Sequence, residues 1–255
     1  VRELETVLER AVALAEGVAG SVAEFVARMN RQAQVFGLKA TQFRNPDGQT
    51  VGGQSSTPRE LAWIAVRLLT DHPEALAHYR LSSLTLGGVK RISNNLLLLR
   101  DPSVDGLQVA YTDRLGYAMA ATSRRPASGV ERRLVAVVVG TPSLQARATE
   151  TQKLLNWGYS AFDVVGLYAA GQTVSAAPVW KGQSNTVALG RKQAILVAVP
   201  RGQASHIQTS LTRQDPLLAP LAQGQAVGIL HIRLGTQPWQ ALPLQALQDV
   251  PTAGW

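Results

Sequence analysis

Apolar positions recur at helical spacing in the first stretch of the chain: Leu4, Val7, Leu8, Ala11, Ala15 and Val18 share one face, with Gly17 and Gly20 near its end. This pattern predicts one amphipathic helix over residues 1–20. Ser21-Val22-Ala23-Glu24 follows as a capping box, in which the Ser21 hydroxyl accepts from the Glu24 amide and the Glu24 carboxylate returns to the Ser21 amide. A second helix is predicted to about Phe36, stopping at Gly37. The polar, Gly-rich stretch from Asn45-Pro46-Asp47-Gly48 to Ser56 predicts a long loop. Thr57-Pro58-Arg59-Glu60 then opens a third helix, with Thr57 as cap and Pro58 at the first helical position, running to about Leu69.

After a short helix behind Pro73 the hydrophobic period changes. Leu84-Thr85-Leu86 and Val89-Lys90-Arg91-Ile92 flank Gly87-Gly88, which predicts a tight hairpin. Two strands are expected at Tyr117 to Ser123 and Leu134 to Val139, separated by Pro126-Ala127-Ser128-Gly129. The unbroken apolar run from Leu134 to Val139 reads as a central strand buried on both faces. Ser143 caps a helix carrying Leu144, Leu154, Leu155 and Trp157 to about Phe162. Beyond Asp163 the texture becomes short β-branched runs punctuated by Gly and Pro. The expectation is an α+β chain of two domains: residues 1–162, a sheet flanked by helices, and residues 163–255, small and all-β.

Composition narrows the function classes. With 45% hydrophobic and 16% charged residues the chain is an ordinary globular one, and no run is long and apolar enough to cross a bilayer as a helix. The lack of Cys excludes disulfides, thiolate metal sites and Cys nucleophiles. A net charge of +8 raises the question of nucleic acid, but the pairs Lys90-Arg91, Arg124-Arg125, Arg132-Arg133 and Arg191-Lys192 are scattered and lack interleaved aromatics, so they read as solvated faces. The four His residues form no ligand spacing, and neither a metal nor a cofactor is expected. Trp157, Trp180 and Trp239 could stack on sugars, although core or interdomain packing is the expected role. The N-terminus carries no leader pattern, so any targeting segment is expected outside these residues.

Several blocks, in collinear order, resemble one family. They include residues 13–21 (ALAEGVAGS), 25–30 (FVARMN), 43–48 (FRNPDG), 56–62 (STPRELA), 100–107 (RDPSVDGL), Tyr111-Thr112-Asp113, Leu134 to Gly140, 154–158 (LLNWG) and, in the second domain, 216–221 (PLLAPL) and 224–228 (GQAVG). The chain resembles the serine D-alanyl-D-alanine carboxypeptidases among the low-molecular-mass penicillin-binding proteins. That resemblance implies a partial transpeptidase/β-lactamase-like domain followed by a β-rich domain, and a bacterial periplasmic or cell-envelope location. Working members remove the terminal D-Ala from cell-wall peptides and are acylated by β-lactams. Members often end in an amphipathic anchoring helix after a segment like Ala246 to Val250; the chain ends at Trp255 without one, so anchoring would need such a helix.

The family chemistry needs a Ser with a Lys one helical turn later, close enough for the amine to take the hydroxyl proton. Here Lys39, Lys90, Lys153, Lys181 and Lys192 are preceded three residues earlier by Phe36, Gly87, Glu150, Pro178 and Leu189, so no Ser-x-x-Lys exists in the chain. The family's Ser-x-Asn is expected around Thr6 and Leu8, where neither residue type occurs. Its Lys-Thr-Gly strand, which holds the substrate carboxylate, corresponds to Gln108, Val109 and Ala110, flanked by Asp105, Gly106, Tyr111 and Thr112. The cation, the hydroxyl and the position without Cβ are lost together.

The expected function is therefore a catalytically degenerate, peptidoglycan- or protein-binding relative of these enzymes. The alternative is a working carboxypeptidase whose Ser-x-x-Lys lies outside this chain, and a third reading is an assembly module using an edge of the β-rich domain. Expected partners are peptidoglycan peptides or a periplasmic protein, not nucleic acid.

Overall fold

The computed structural model describes residues 2–127 and 130–254, and the chain divides into two compact units, Val1–Trp157 and Gly158–Trp255. The first unit starts with α1 (Arg2–Ala19) and α2 (Val22–Val35). Gly20 at φ +83° makes the break between them, and Gly37 at φ +72° follows the end of α2. The expected capping box is half formed. Ser21 Oγ accepts from the Glu24 amide at 3.1 Å, but the Glu24 carboxylate pairs with Arg31 at 2.7 Å, where a charged partner offers more than an exposed amide.

Helix α3 (Pro58–Asp71) begins where expected and runs two residues further, with Thr57 Oγ1 accepting from the Glu60 amide at 3.2 Å. The Glu60 carboxylate leaves its own helix. It accepts from the amides of Lys39 and Ala40 and the Thr41 hydroxyl, pinning the 39–41 loop to the start of α3. These bonds, that from Thr41 first, hold the Glu60 carboxyl below the usual carboxylate range.

After the short helix α4 (Leu76–Tyr79) come the hairpin strands β1 (Ser83–Leu86) and β2 (Val89–Ile92), turned by Gly87 at φ +55° and Gly88 at φ +79°. The short helix α5 (Leu97–Arg100) leads into the main sheet: β3 (Val104–Gly106), β4 (Val109–Thr112), β5 (Gly116–Ala127) and β6 (Val130–Thr141). Helix α6 (Leu144–Ala161) follows, its first turn capped by Ser143 Oγ accepting from the Ala146 amide at 3.0 Å. Leu97, Met119, Ala121, Ala136, Ala148 and Leu155 form the core of this unit.

Two expectations for the sheet need correction. The Leu134 to Val139 run is not central: among the described residues β6 pairs only with β5, and β5 is the inner strand, with β3 and β4 on its other side. Both faces of the run are nonetheless covered, by α3 on one side and by Ala148 and Leu155 of α6 beside Ala136 on the other, so helices and not flanking strands make it apolar. Nor do Pro126 and Ala127 separate the strands, since the ladder continues to Pro126↔Glu131 and Ala127↔Val130. The longer ladder also overturns the reading of two basic pairs as scattered. Arg124 faces Arg133 and Arg125 faces Arg132 across the strands, and carboxylates relieve the repulsion: Glu131 meets Arg124, Asp101 meets Arg125 and Asp105 meets Arg133.

The second unit is β-rich. Strands β7 (Phe162–Tyr168) and β10 (Ile195–Pro200) pair antiparallel. A six-stranded sheet has the order β11 (Ile207–Arg213), β13 (Ala226–Leu234), β14 (Gln237–Ala246), β9 (Thr186–Gly190), β8 (Thr173–Trp180) and β12 (Leu217–Leu218). Alternate residues Ile195, Val197 and Val199 of the small sheet are buried with Leu189, Leu230, Ile232 and Leu244 of the large one, the period-two pattern of two sheets sharing a core. Trp180 and Trp239 are not core residues; they stand 60% and 38% exposed.

Candidate functional groove

Residues 104–112 run antiparallel along β5. Gly106 faces Thr122; the Leu107 amide donates to the Ala120 carbonyl at 3.1 Å, and the Ala120 amide donates to Gln108 at 2.9 Å. Then Val109 faces Met119, Ala110 faces Ala118, Tyr111 faces Tyr117 and Thr112 faces Gly116. The structure thus brings Asp105, Gly106, Gln108, Val109, Ala110, Tyr111 and Thr112 together on one sheet edge. Thr6 and Leu8 fall in α1, and their side chains lie outside the described residues.

Each flanking residue has a physical role. Asp105 takes a two-point bond from Arg133, at 2.7 and 2.8 Å, while Arg133 also donates to Thr122 Oγ1 at 2.8 Å. A Cβ at Gly106 would lie 3.2 Å from Tyr79 Cβ and 3.3 Å from Leu76 Cδ1, so the close packing of α4 on β3 favours glycine. The Tyr111 ring lies 4.5 Å from that of Tyr117 in a tilted contact and its hydroxyl donates to Asp113 at 2.8 Å, a bond that raises the Tyr111 hydroxyl above its ordinary range. Thr112 Oγ1 accepts from the Leu115 amide at 3.0 Å and so closes the following turn. Gln108 is exposed, and its amide makes only a 3.4 Å contact with the Val109 carbonyl.

Behind the strand lies Arg147, 2% exposed, which donates to the Ala110 carbonyl at 3.2 Å and the Asn94 carbonyl at 2.7 Å, with its guanidinium 5.6 Å from the Tyr117 ring. Burial pushes this guanidinium below its usual range. Asp101 gathers a second polar cluster: it accepts from the Ser103 amide and hydroxyl, Arg125 and Gln152 at 2.6–2.9 Å. Neither Arg147 nor this cluster was anticipated from sequence, where a lone Arg in a helix carries no signal of a carbonyl clamp.

Gln108 and Ala110, two residues apart and on one face, line a groove of about 300 Å³ together with Leu61, Ile64 and Leu68 of α3 and Val137 of β6. Among all the residues lining it, Gln108 and Tyr79 alone carry polar side-chain atoms, and none is charged. Lys39 and Arg59 line a different groove, of about 930 Å³, whose one hydroxyl residue, Thr70, donates back to the Val66 carbonyl of its own helix. Among the described residues, then, neither groove pairs a free hydroxyl with an amine. No group of three metal-ligating side chains gathers among them.

Comparison with known proteins agrees with this architecture. Residues 8–143 match the D-alanyl-D-alanine carboxypeptidase family, and residues 162–252 match the C-terminal domain of penicillin-binding protein 5. The chain is 34% identical to D-alanyl-D-alanine carboxypeptidase DacA of Haemophilus influenzae over 95% of its length, and 32% identical to the Escherichia coli K12 protein of that name over 94%. It spans 62% and 59% of those two relatives. The crystal structure of penicillin binding protein 5 from Haemophilus influenzae superposes with a TM-score of 0.77 at 33% identity, covering 94% of this chain and 70% of that one. With a mixed sheet-and-helix unit, a β-rich unit and matches across both, the chain belongs to the D-alanyl-D-alanine carboxypeptidase family of low-molecular-mass penicillin-binding proteins.

Proposed function

We propose that this chain is a non-hydrolysing member of its family that binds peptidoglycan peptides along the β4 edge, in the periplasm or cell envelope of a bacterium. The observation that carries this reading is the groove beside Gln108-Val109-Ala110, which has no charged side chain and no Ser or Thr hydroxyl among its lining residues. Acyl transfer needs an activated nucleophile and a cation for the substrate carboxylate. Gln108 supplies one neutral amide donor where the resemblance calls for an ammonium, and Val109 supplies no hydroxyl. An extended peptide can still add to a strand edge through main-chain bonds, which leaves recognition in place without turnover.

Residues 104–112 therefore act as a vestigial substrate edge, with Asp105, Gly106, Tyr111 and Thr112 retained for the fold of that edge. Residues 1–162 and 163–255 act as the two functional domains. Co-sedimentation with purified sacculi tests the proposal: the protein should pellet at low salt and release no D-alanine. A protein that stays in the supernatant would refute binding, and released D-alanine would refute the loss of chemistry.

A further inference from the structure

Strand β6 leaves one edge of the main sheet open. It runs 12 residues, and among the described residues β5 is its only strand partner. From Leu134 to Val139 it carries no Pro, no Gly and no charge, and these residues are buried or half-buried. The register shift of the β5–β6 ladder falls at the end of this run, past Val138. A long apolar edge that no charge, proline or bulge interrupts is a template for a further strand. Both faces beside the edge are built. Ala136 sits with Ala148 and Leu155 of α6, while Val137 and Val139 line the groove under α3. Trp63 of α3, 48% exposed, and Val66 border the groove of about 930 Å³ beside Arg133 and Val135.

The run is its own complement. Antiparallel pairing with β6 of a second copy, about a two-fold axis at Ala136, sets Val135 against Val137 and Leu134 against Val138. Further out it sets Arg133 against Val139, Arg132 against Gly140 and Glu131 against Thr141. No charge meets a like charge, and each Arg of the strand stands opposite an uncharged residue. The Arg133 guanidinium is already committed to Asp105 and Thr122, so it brings no unpaired cation to the contact. An axis through a residue also preserves the alternation of faces. Val135 and Val137 stay on the α3 side, and Leu134 and Val138 on the α6 side. Because the axis is normal to the sheet, α3 of both copies lies on one face, and the apolar flank at Trp63 and Val66 meets its own counterpart.

We propose that the open edge of β6 is an interface between two copies of this chain, which join their main sheets across it. The β4 edge lies on the other side of β5 and takes no part, so failure of either reading leaves the other standing. Size exclusion with light scattering should give the full chain twice the mass of one copy at submillimolar concentration. The chain has no Cys, so single cysteines report the register. Ala136→Cys faces itself at about 5 Å across the axis, within disulfide reach, and should form a covalent dimer on mild oxidation. Leu134→Cys lies about 14 Å from its counterpart and should run as a single chain on a non-reducing gel. Val135→Lys sets an ammonium against Val137 and should weaken association at least about ten-fold while keeping the circular dichroism of the parent. A single-chain mass for the parent at submillimolar concentration would overturn the proposal, as would equal cross-linking at positions 134 and 136.

Discussion

Replacing Asp101 by Asn isolates the polar cluster that anchors β3 and β5 to α6. The Asp101 side chain is 11% exposed and its partner Arg125 is 28% exposed, at 2.8 Å. Burial alone would raise the Asp101 carboxyl, but the bonds from Ser103 and the charge of Arg125 outweigh it and hold the group below the usual aspartate range. Asn keeps one acceptor for Ser103 and loses the charge, while its amide nitrogen faces the donors of Arg125 or Gln152. Breaking a fully buried pair costs about 3–5 kcal/mol, and the partial exposure of Arg125 reduces this to about 2–3 kcal/mol. Because the folded-state value lies below the unfolded one, the stabilisation is present above about pH 4 and disappears as pH falls through the folded value. Urea denaturation followed by far-UV circular dichroism at pH 7 should show Asp101→Asn less stable by that amount. The gap between the two proteins should shrink as the pH is lowered toward 2–3. A gap under about 0.5 kcal/mol at pH 7, within the range of an ordinary surface change, would refute the reasoning, as would a gap that persists unchanged in acid.

Three further substitutions probe the edge and its supports. Gly106→Ala places a Cβ 3.2 Å from Tyr79 Cβ and 3.3 Å from Leu76 Cδ1, and overpacking of this kind should lower stability by about 1–2 kcal/mol; a thermal midpoint equal to that of the parent would contradict the packing argument. Thr57→Ala should cost about 1 kcal/mol through loss of the α3 cap, and Thr57→Ser should restore most of it. Arg147→Met removes the donors to the Ala110 and Asn94 carbonyls, so it should destabilise by about 2 kcal/mol. Its local signature is faster amide hydrogen exchange in β4 than in the β-rich unit, and uniform exchange across both would count against the clamp.

Local signals in the sequence carried far into the fold. The helix starts at Ser21, Thr57 and Ser143 follow from one hydroxyl accepting from the amide three residues on, and the Gly87-Gly88 turn follows from its backbone demands. Long-range pairing was not legible. Asp101 meets Arg125 and Gln152 at separations of 24 and 51 residues, and Arg133 reaches Asp105 over 28, so nothing in the local pattern links them. The apolar run at Leu134 shows the limit of periodicity most clearly. Burial of both faces is read from side chains alone and says nothing of the strand's edges, so an outer strand covered by α3 on one face and α6 on the other gives the same pattern as a central one. Glu60 shows the opposite case, in which the position was foreseen and its partner was not. The first helical turn predicted the residue, while tertiary structure supplied the 39–41 loop that uses its carboxylate. For the β4 edge, the family resemblance at Asp105-Gly106 and Tyr111-Thr112 located the strand, and only the structure revealed that Arg147 grips its carbonyl from behind.

The central proposal is that these 255 residues, which contain no Ser-x-x-Lys, form no acyl-enzyme. Intact-mass spectrometry after incubation with benzylpenicillin tests it directly. The account predicts an unchanged mass for the chain as it stands. It predicts the same for a variant carrying Gln108→Lys, Val109→Thr and Ala110→Gly, because a restored cation and hydroxyl on β4 still lack a Ser-x-x-Lys nucleophile. One penicilloyl group gained per chain by the unaltered protein would contradict it.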